Sequence, residues 1–506
     1  MASVSLSPSE LIAAVDMGSN SFRLVIARVD KTHSKNQVYV IDNLREPVRL
    51  GAGLTSNNKL DNASQTRAIE CLARFKERLL EFNPHQVRAV ATNAVRVAVN
   101  ASEFIEKAEA ALGFSIDVVS GSEEARLIYC GVAHQLPANS ENRLVVDIGG
   151  GSTELIIGNN YTPIALESIP IGCINLGQRF FPNGKLSEQA LKEAILFARQ
   201  HVVILQRQFT KIGWTHCIAS SGSSRTLAEI CIKNGWSQDG ISLTGLTQLH
   251  HKLRQINNIN ELELPGTKLD RKANIPGGLT LMLAVFEELG LTQMQTSEAA
   301  LRQGLLYDLI GRTSTFDLRQ QTVNHFIRRY EVDIEHVQRV QQLTLSLYDQ
   351  LTQQLHSLDT NRHLLSWAAL LHEIGLTVSH QGHHKHAAYL IQQSDMPGFS
   401  RREQNLIADW VLAHTGKLGK SAHLSQSEQI WIPAMCLRLA ALFLRRRQAE
   451  QIPTIEIHYS ANQLTLSLNP NWLKNHPLTD YNLNQEVLIW QRLNLNLQIT
   501  TKPPIN

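Results

Sequence analysis

Two stretches of the chain share one pattern of apolar and polar positions. Ala13-Ala14-Val15-Asp16-Met17-Gly18-Ser19-Asn20-Ser21 leads into Phe22-Arg23-Leu24-Val25-Ile26-Ala27. Leu144-Val145-Val146-Asp147-Ile148-Gly149-Gly150-Gly151-Ser152-Thr153 leads into Glu154-Leu155-Ile156-Ile157-Gly158. Each reads as an apolar strand, Asp-x-Gly, a short polar turn and a second apolar strand. That pattern predicts a β-hairpin whose turn exposes backbone N–H groups. Asp16 and Asp147 lie 131 residues apart, about one domain length, so the repeat predicts a duplicated architecture. Between the hairpins, Ile69, Leu72, Phe75 and Leu79 recur at helical spacing over 62–82. Val87–Thr92 and Ser115–Val119 read as strands, with a helix over Ala101–Ala111 between them. After the second hairpin come a helix over Ser187–Gln208, a strand His216–Ala219, a Ser/Gly turn and a helix Leu279–Leu289. Strands alternating with helices in two similar halves predict α/β domains, 1–128 and 129–312, facing each other across a cleft. From Thr313 the patterns become long and helical, predicting a third domain over 313–450. From Pro453 short alternating runs, Ile455–His458 and Leu464–Leu468, predict a small β-containing tail over 451–506.

Composition narrows this picture only slightly. At 506 residues the chain exceeds one hydrophobic core, and 43% hydrophobic with 18% charged residues is ordinary globular composition. The net charge of +3 leaves any anion site to be argued locally. Cys71, Cys130, Cys173, Cys217, Cys231 and Cys436 form no CxxC pair, as expected for packing thiols in a reducing compartment. The first ten residues lack the basic flank and apolar run of a signal peptide. The longest uncharged apolar stretch, Ile275–Phe286, holds two glycines and is too short to span a bilayer. The expected location is the cytoplasm, with no integral membrane segment and no nucleic-acid partner.

The hairpin turns carry the first chemistry. Glycines admit an anion close to the backbone, successive N–H groups form a donor nest, and Ser and Thr hydroxyls add neutral donors. An Asp that opens such a turn repels phosphate, so Asp16 and Asp147 read as magnesium or magnesium-water ligands, with Glu154 a further hard oxygen. One GGGST is as readily a flexible turn; two matching motifs at domain spacing favour function. Ala219-Ser220-Ser221-Gly222-Ser223-Ser224 leaves a strand and opens a helix, which aims N–H groups at an anion; taken alone, it reads as an N-cap. In Ser120-Gly121-Ser122-Glu123-Glu124, Glu123 completes a capping box. Glu124 beside a phosphate cleft would suit deprotonation of water. Spacing does not choose between the two glutamates.

AAVDMGSNSFRL, ATNAVRVAVNA, VVSGSEEARLIY, LVVDIGGGSTEL, the ASSGSS turn and SEAALRQGLLY, in this order, resemble the exopolyphosphatase/guanosine pentaphosphate phosphatase family over essentially the whole chain. That family has the actin-like ATPase (ribonuclease H-like) fold. The resemblance implies that Glu124 is the catalytic base and that Arg96 grips the reacting phosphate. It implies magnesium at Asp147 and Glu154. It places Asp16, Ser19, Asn20 and Ser21 in one phosphate loop and Gly149, Gly150, Gly151, Ser152 and Thr153 in a second, with Ser221, Gly222 and Ser223 in a third turn. SEAALRQG departs from the family's Ser-Asp-Gly-Ala-Leu-Arg-Glu-Gly at Ala299 and Gln303, while Arg302 is kept. The implied activity is processive removal of terminal phosphate from inorganic polyphosphate, in a homodimer that sits in the cytoplasm or peripherally at the membrane. Guanosine pentaphosphate 5′-phosphatase is the alternative. DIGGGSTE, His380–His386 and Ser394-Asp395 resemble the polyphosphate branch. An actin-like-fold ATPase or sugar kinase is a second alternative, for which no adenosine or sugar motif is present. The helical region resembles HD-domain phosphohydrolases: His336 stands for the first histidine, but His372-Glu373 replaces His-Asp and Leu437–Ala441 offers no later Asp. A relic without catalysis is implied. Arginines 328, 329, 401, 402 and 445–447 sit in the domain thought to thread a long phosphate chain.

Overall fold

The two Asp-x-Gly segments open two equivalent sheets. In a computed structural model of the chain, the first sheet contains β1 (Glu10–Met17), β2 (Phe22–Asp30), β3 (Gln37–Glu46), β4 (Val87–Ala91) and β5 (Ile116–Val118). Its order is β3-β2-β1-β4-β5. The second contains β6 (Asn142–Ile148), β7 (Thr153–Asn159), β8 (Thr162–Ile169), β9 (His216–Ser220), β10 (Ile241–Ser242) and β11 (Gln293–Thr296). Its order is β10-β11-β9-β6-β7-β8. Apart from the added β10, the second sheet repeats the first. Strands β1/β2 and β6/β7 pair antiparallel, whereas β1/β4 and β6/β9 pair parallel. Parallel neighbours need crossover connections, here supplied by helices such as Asn62–Arg78 and Glu188–Ile212. This is a pair of actin-like α/β lobes. The described residues are 10–30, 37–136, 141–312, 318–355, 362–418, 427–447, 452, 454–460 and 463–501; residues 1–10 (except Glu10), Thr313 and Pro453, used above as markers, lie outside them.

The alternation in β1 explains how the lobes are built. Ala13, Val15 and Met17 join a core with Leu72 and Phe75, while Ile12 and Ala14 on the other face join Val145, Ile156, Ile128 and Leu305. The helices Gly121–Gln135 and Leu301–Arg312 therefore pack in a core shared by both sheets. They cross closely: a Cβ on Gly304 would collide with the Leu127 carbonyl, and one on Gly131 with the Ala300 carbonyl. The helix Gly121–Gln135 runs through the 128/129 boundary of the sequence reading, and both lobes fall in one compact unit, Met1–Phe316.

The second unit, Asp317–Asn506, contains the helices Leu318–Arg329, Ile334–Thr352, Arg362–Leu371, His383–Gln393, Arg401–Ala413 and Glu428–Phe443. After them come β12 (Glu456–Ser460), β13 (Gln463–Leu468) and β14 (Asn496–Thr501), in that order across a small sheet. The helix Pro477–Gln491 makes the crossover between parallel β13 and β14. Tyr348 and Trp410 of the helices share one core with Leu466 and Trp490 of the tail. Among the described residues no helix is long and apolar enough to cross a membrane.

Candidate active site

Both hairpin turns, the β9 turn and the start of the helix Gly121–Gln135 meet in one cleft of the first unit. Asp16, Ser19, Asn20, Ser21, Glu124, Asp147, Gly149, Gly150, Gly151, Ser152, Ser221, Gly222 and Ser223 line it. The first turn is fixed from below, where Gly51 N donates to Ser19 O at 2.7 Å and Arg49 N to Asn20 O at 2.9 Å. The second is held by Gly149 N donating to Ser152 O and by Cys173 N donating to Gly149 O. A Cβ on Gly151 would collide with the Asn93 amide oxygen, so the turn lies tight against the opposite lobe. Ser221 caps the helix Gly222–Lys233, its Oγ accepting from Ser224 N at 3.0 Å. Ser221 also has φ 96°, a left-handed strain of the kind that collects at functional loops.

The two adjacent glutamates separate cleanly. Glu123 binds Arg126 through both carboxylate oxygens at 2.8 Å, and Arg126 also bonds Asp308. Ser120 Oγ accepts from Glu123 N, so the cap is present, but its expected reciprocal half is spent on Arg126. Glu124 faces the cleft, with Oε2 accepting from Arg96 Nη1 at 2.9 Å. Three expected site residues stand back from the lining. Arg96 is committed to Glu124 and to the Val119 carbonyl at 3.0 Å, because a guanidinium beside a buried carboxylate binds it strongly. Thr153 is fully buried and its hydroxyl donates to Ile171 O at 2.8 Å, which removes it as a phosphate donor. Glu154 lies directly opposite Asp147 in the β6/β7 register and accepts from Ser168 Oγ at 2.8 Å.

Acids and arginines share the cleft. Burial raises Asp16 and Asp147 to about 6 each. It also raises Glu154 well above the usual carboxylate range, with repulsion from Glu124 and Asp147 adding to it. Glu124 is raised by burial against the pull of Arg96. Against these acids stand Arg23, Arg45, Arg225, Arg271 and Arg302, all lining the same cleft. Burial, with neighbouring Arg302 contributing, lowers Arg23 to about 10. Burial likewise lowers Arg271 and Arg302. A Cβ on Gly222 would collide with the Arg271 guanidinium, so a cation rests on the positive end of a helix. Packing like charges together is unfavourable unless an anion is to lie among them.

Sequence reading missed most of these arginines. Arg23 was recoverable, since it stands the same distance beyond its turn as Asp16 stands before it, and the hairpin register pairs them. Arg225 sits one turn into the helix after ASSGSS. Arg45 and Arg271 come from an edge strand and a 3-10 turn far along the chain, and no local pattern marks them.

A duplicated α/β fold that brings two glycine-rich turns, acids and arginines into one cleft defines a phosphate-handling enzyme of the actin-like class. The profile described as the Ppx/GppA phosphatase family matches residues 25–313, and that of Ppx/GppA phosphatase, domain III, matches 318–487. The chain belongs to the Ppx/GppA phosphatase family. Among solved structures it is similar to an exopolyphosphatase from Cytophaga hutchinsonii, with 27% identity, a TM-score of 0.53, and coverage of 60% of this chain and 98% of that one. It is similar to the Ppx/GppA family member of Aquifex aeolicus, with 25% identity, a TM-score of 0.51, and coverage of 61% and 100%. An exopolyphosphatase-like protein also matches, at 25% identity and a TM-score of 0.52, over 60% of this chain and 98% of its own.

Proposed function

We infer that this phosphatase removes the terminal phosphate of inorganic polyphosphate by hydrolysing a phosphoanhydride bond. One observation carries the reading: five arginines line a cleft that the partly buried Asp16 and the buried Glu124, Asp147 and Glu154 share or back. A monoester needs few cations, whereas a chain end presents several adjacent charges.

Phosphate oxygens are taken by the N–H groups of Gly150 and Gly151 and the hydroxyls of Ser19, Ser21 and Ser223, with the Asn20 amide, while Gly149 N stays on Ser152 O and shapes the turn, and the arginines balance the remaining charge. Glu124 orients a water and takes its proton as the water oxygen bonds to the terminal phosphorus. The anhydride P–O bond breaks, and its electron pair leaves on the shortened chain. Arg96 acts through Glu124, fixing the carboxylate that must meet the water. Magnesium fits the Asp147/Glu154 pair: the two are hard oxygen donors placed opposite one another, and like charges so placed are destabilising without a cation. Asp147 and Glu154, with Asp16, would hold it. When bound, it supplies neutralisation of the charge that develops on the phosphate oxygens.

The test is orthophosphate release from long polyphosphate and from guanosine pentaphosphate, measured side by side. Faster release per enzyme from polyphosphate is expected. Release from the nucleotide alone would transfer the assignment to the guanosine pentaphosphate activity of the family.

A further inference from the structure

A second cavity, of about 780 Å³, lies wholly within the Asp317–Asn506 unit. Its wall carries His336, His372, Glu373, His380, His383 and His414. Three of these converge: His336, His372 and Glu373 each place a donor atom within 4.8 Å of the other two. All three are buried, at 3%, 2% and 9% exposure. Two of their polar atoms, His336 Nδ1 and Glu373 Oε2, have no hydrogen-bond partner. His336 Nε2 lies 3.6 Å from Glu373 Oε1, and a buried imidazole nitrogen and a buried carboxylate oxygen without partners are costly unless something binds them.

The hydrogen bonds around the histidines point to what would bind. His372 Nδ1 lies 2.7 Å from the Ala369 carbonyl. A carbonyl only accepts, so Nδ1 carries the hydrogen. In the neutral imidazole that tautomer leaves Nε2 a bare lone pair. An imidazole held through one nitrogen by a backbone carbonyl is the usual outer support of a metal-ligating histidine. His414 is held in the same way, with Nδ1 2.6 Å from the Val411 carbonyl, and its ring centre is 5.0 Å from that of His372.

We propose that His336, His372 and Glu373 bind a transition-metal dication of zinc type, leaving one position open to the cavity. Two imidazoles and one carboxylate select zinc-like ions over magnesium, which prefers oxygen alone. Bonds of roughly 2.1 Å set tetrahedral donors about 3.4 Å apart, so the side chains must close in by about 1 Å, a rotamer-scale adjustment. Arg447 is the competitor. Its guanidinium bonds Glu373 Oε1 and also reaches Asp333 at 3.5 Å, so a metal must displace a cation already on the carboxylate.

The test uses the full chain, stripped with a chelator and titrated with cobalt(II) as a zinc-like probe in excess magnesium. One retained cobalt per chain with visible d–d absorption is expected. His336→Gln, His372→Ala and Glu373→Gln should each weaken binding by about 10-fold or more. Arg447→Gln should tighten it, a sign that a purely structural ion-pair network would not give. Cobalt should raise the unfolding temperature of the native chain but not of Glu373→Gln, which keeps the side-chain shape and so guards against simple misfolding. No retained metal, or affinity unchanged in all three triad variants, overturns the proposal. So does affinity lost only when His380 and His386 are replaced, since those histidines stand outside the triad.

Discussion

Glu123 and Glu124 are chemically identical buried neighbours with opposite assignments, and their partners separate them. Glu124→Gln keeps the shape but cannot take a proton from water, so kcat should fall about 10²–10⁴-fold with polyphosphate binding retained. Glu123→Gln breaks the bidentate contact to Arg126. It should cost about 3 kcal/mol of stability, as for a buried pair left half-made, with a smaller effect on kcat. Paired kinetics and denaturant unfolding check both; equal loss of kcat in the two variants would show the wrong carboxylate was chosen. At this scale the sequence marked the small polar residues of the turns, because Gly and Ser in fixed order are a local signal. It did not mark Arg45 or Arg271, whose meeting in the cleft depends on long-range folding. Nor does anything in GGGST say which hydroxyl the Ile171 carbonyl claims, which in the structure is that of Thr153.

The hairpin is the unit that turns sequence into site. Both hairpins were legible because apolar runs flank a glycine-rich turn. Strands β3 and β8 were not, since each lies at a sheet edge and mixes exposed with buried positions. Register then gives the two repeats different electrostatics: Asp16 faces Arg23, whereas Asp147 faces Glu154. Asp147→Asn should therefore raise the magnesium concentration for half-maximal rate, and an unchanged requirement would remove Asp147 from the metal site. The linked pH effect has a definite sign. Asp16 and Asp147 rise from 3.8 to about 6 on folding. In the magnesium-free protein their contribution to stability is full below pH 3.8 and is lost as pH rises through about 6. Magnesium competes with those protons, so its stabilising shift in unfolding temperature should be larger at pH 7.5 than at pH 5; the same shift at both would contradict this. The helix crossing gives another check. Gly304→Ala drives a methyl into the Leu127 carbonyl, with an expected cost of about 1–3 kcal/mol. It should lower kcat as well, because Leu127 lies one turn beyond Glu124 on the same helix.

Across the whole molecule, every residue placed in the candidate cleft belongs to the first unit. The matched Cytophaga and Aquifex proteins are covered over 98% and 100% of their own length by about 60% of this chain. The chemistry is thus expected to reside in the first unit, leaving the second to modify how substrate is held. The sequence reading gave seven arginines of the helical region one role, and the structure divides the group. Arg447 is taken up by Glu373 and Asp333, while Arg445 and Lys417 line the 780 Å³ cavity. Cations along such a wall favour long chains, because each added phosphate near one makes a further charge-assisted contact. Truncation after Arg312 should therefore leave turnover of very short polyphosphates and remove the advantage of long ones. Replacing Arg445 and Lys417 with Gln should weaken long-chain binding most at low salt, where screening is least. If the cations only form a solvated face, their removal will change little, as for exposed charges generally. The measurement is the ratio of long- to short-chain kcat/KM in the full chain, the truncated chain and the double variant, at low and moderate salt. A ratio that stays constant across all three would confine substrate recognition to the first unit.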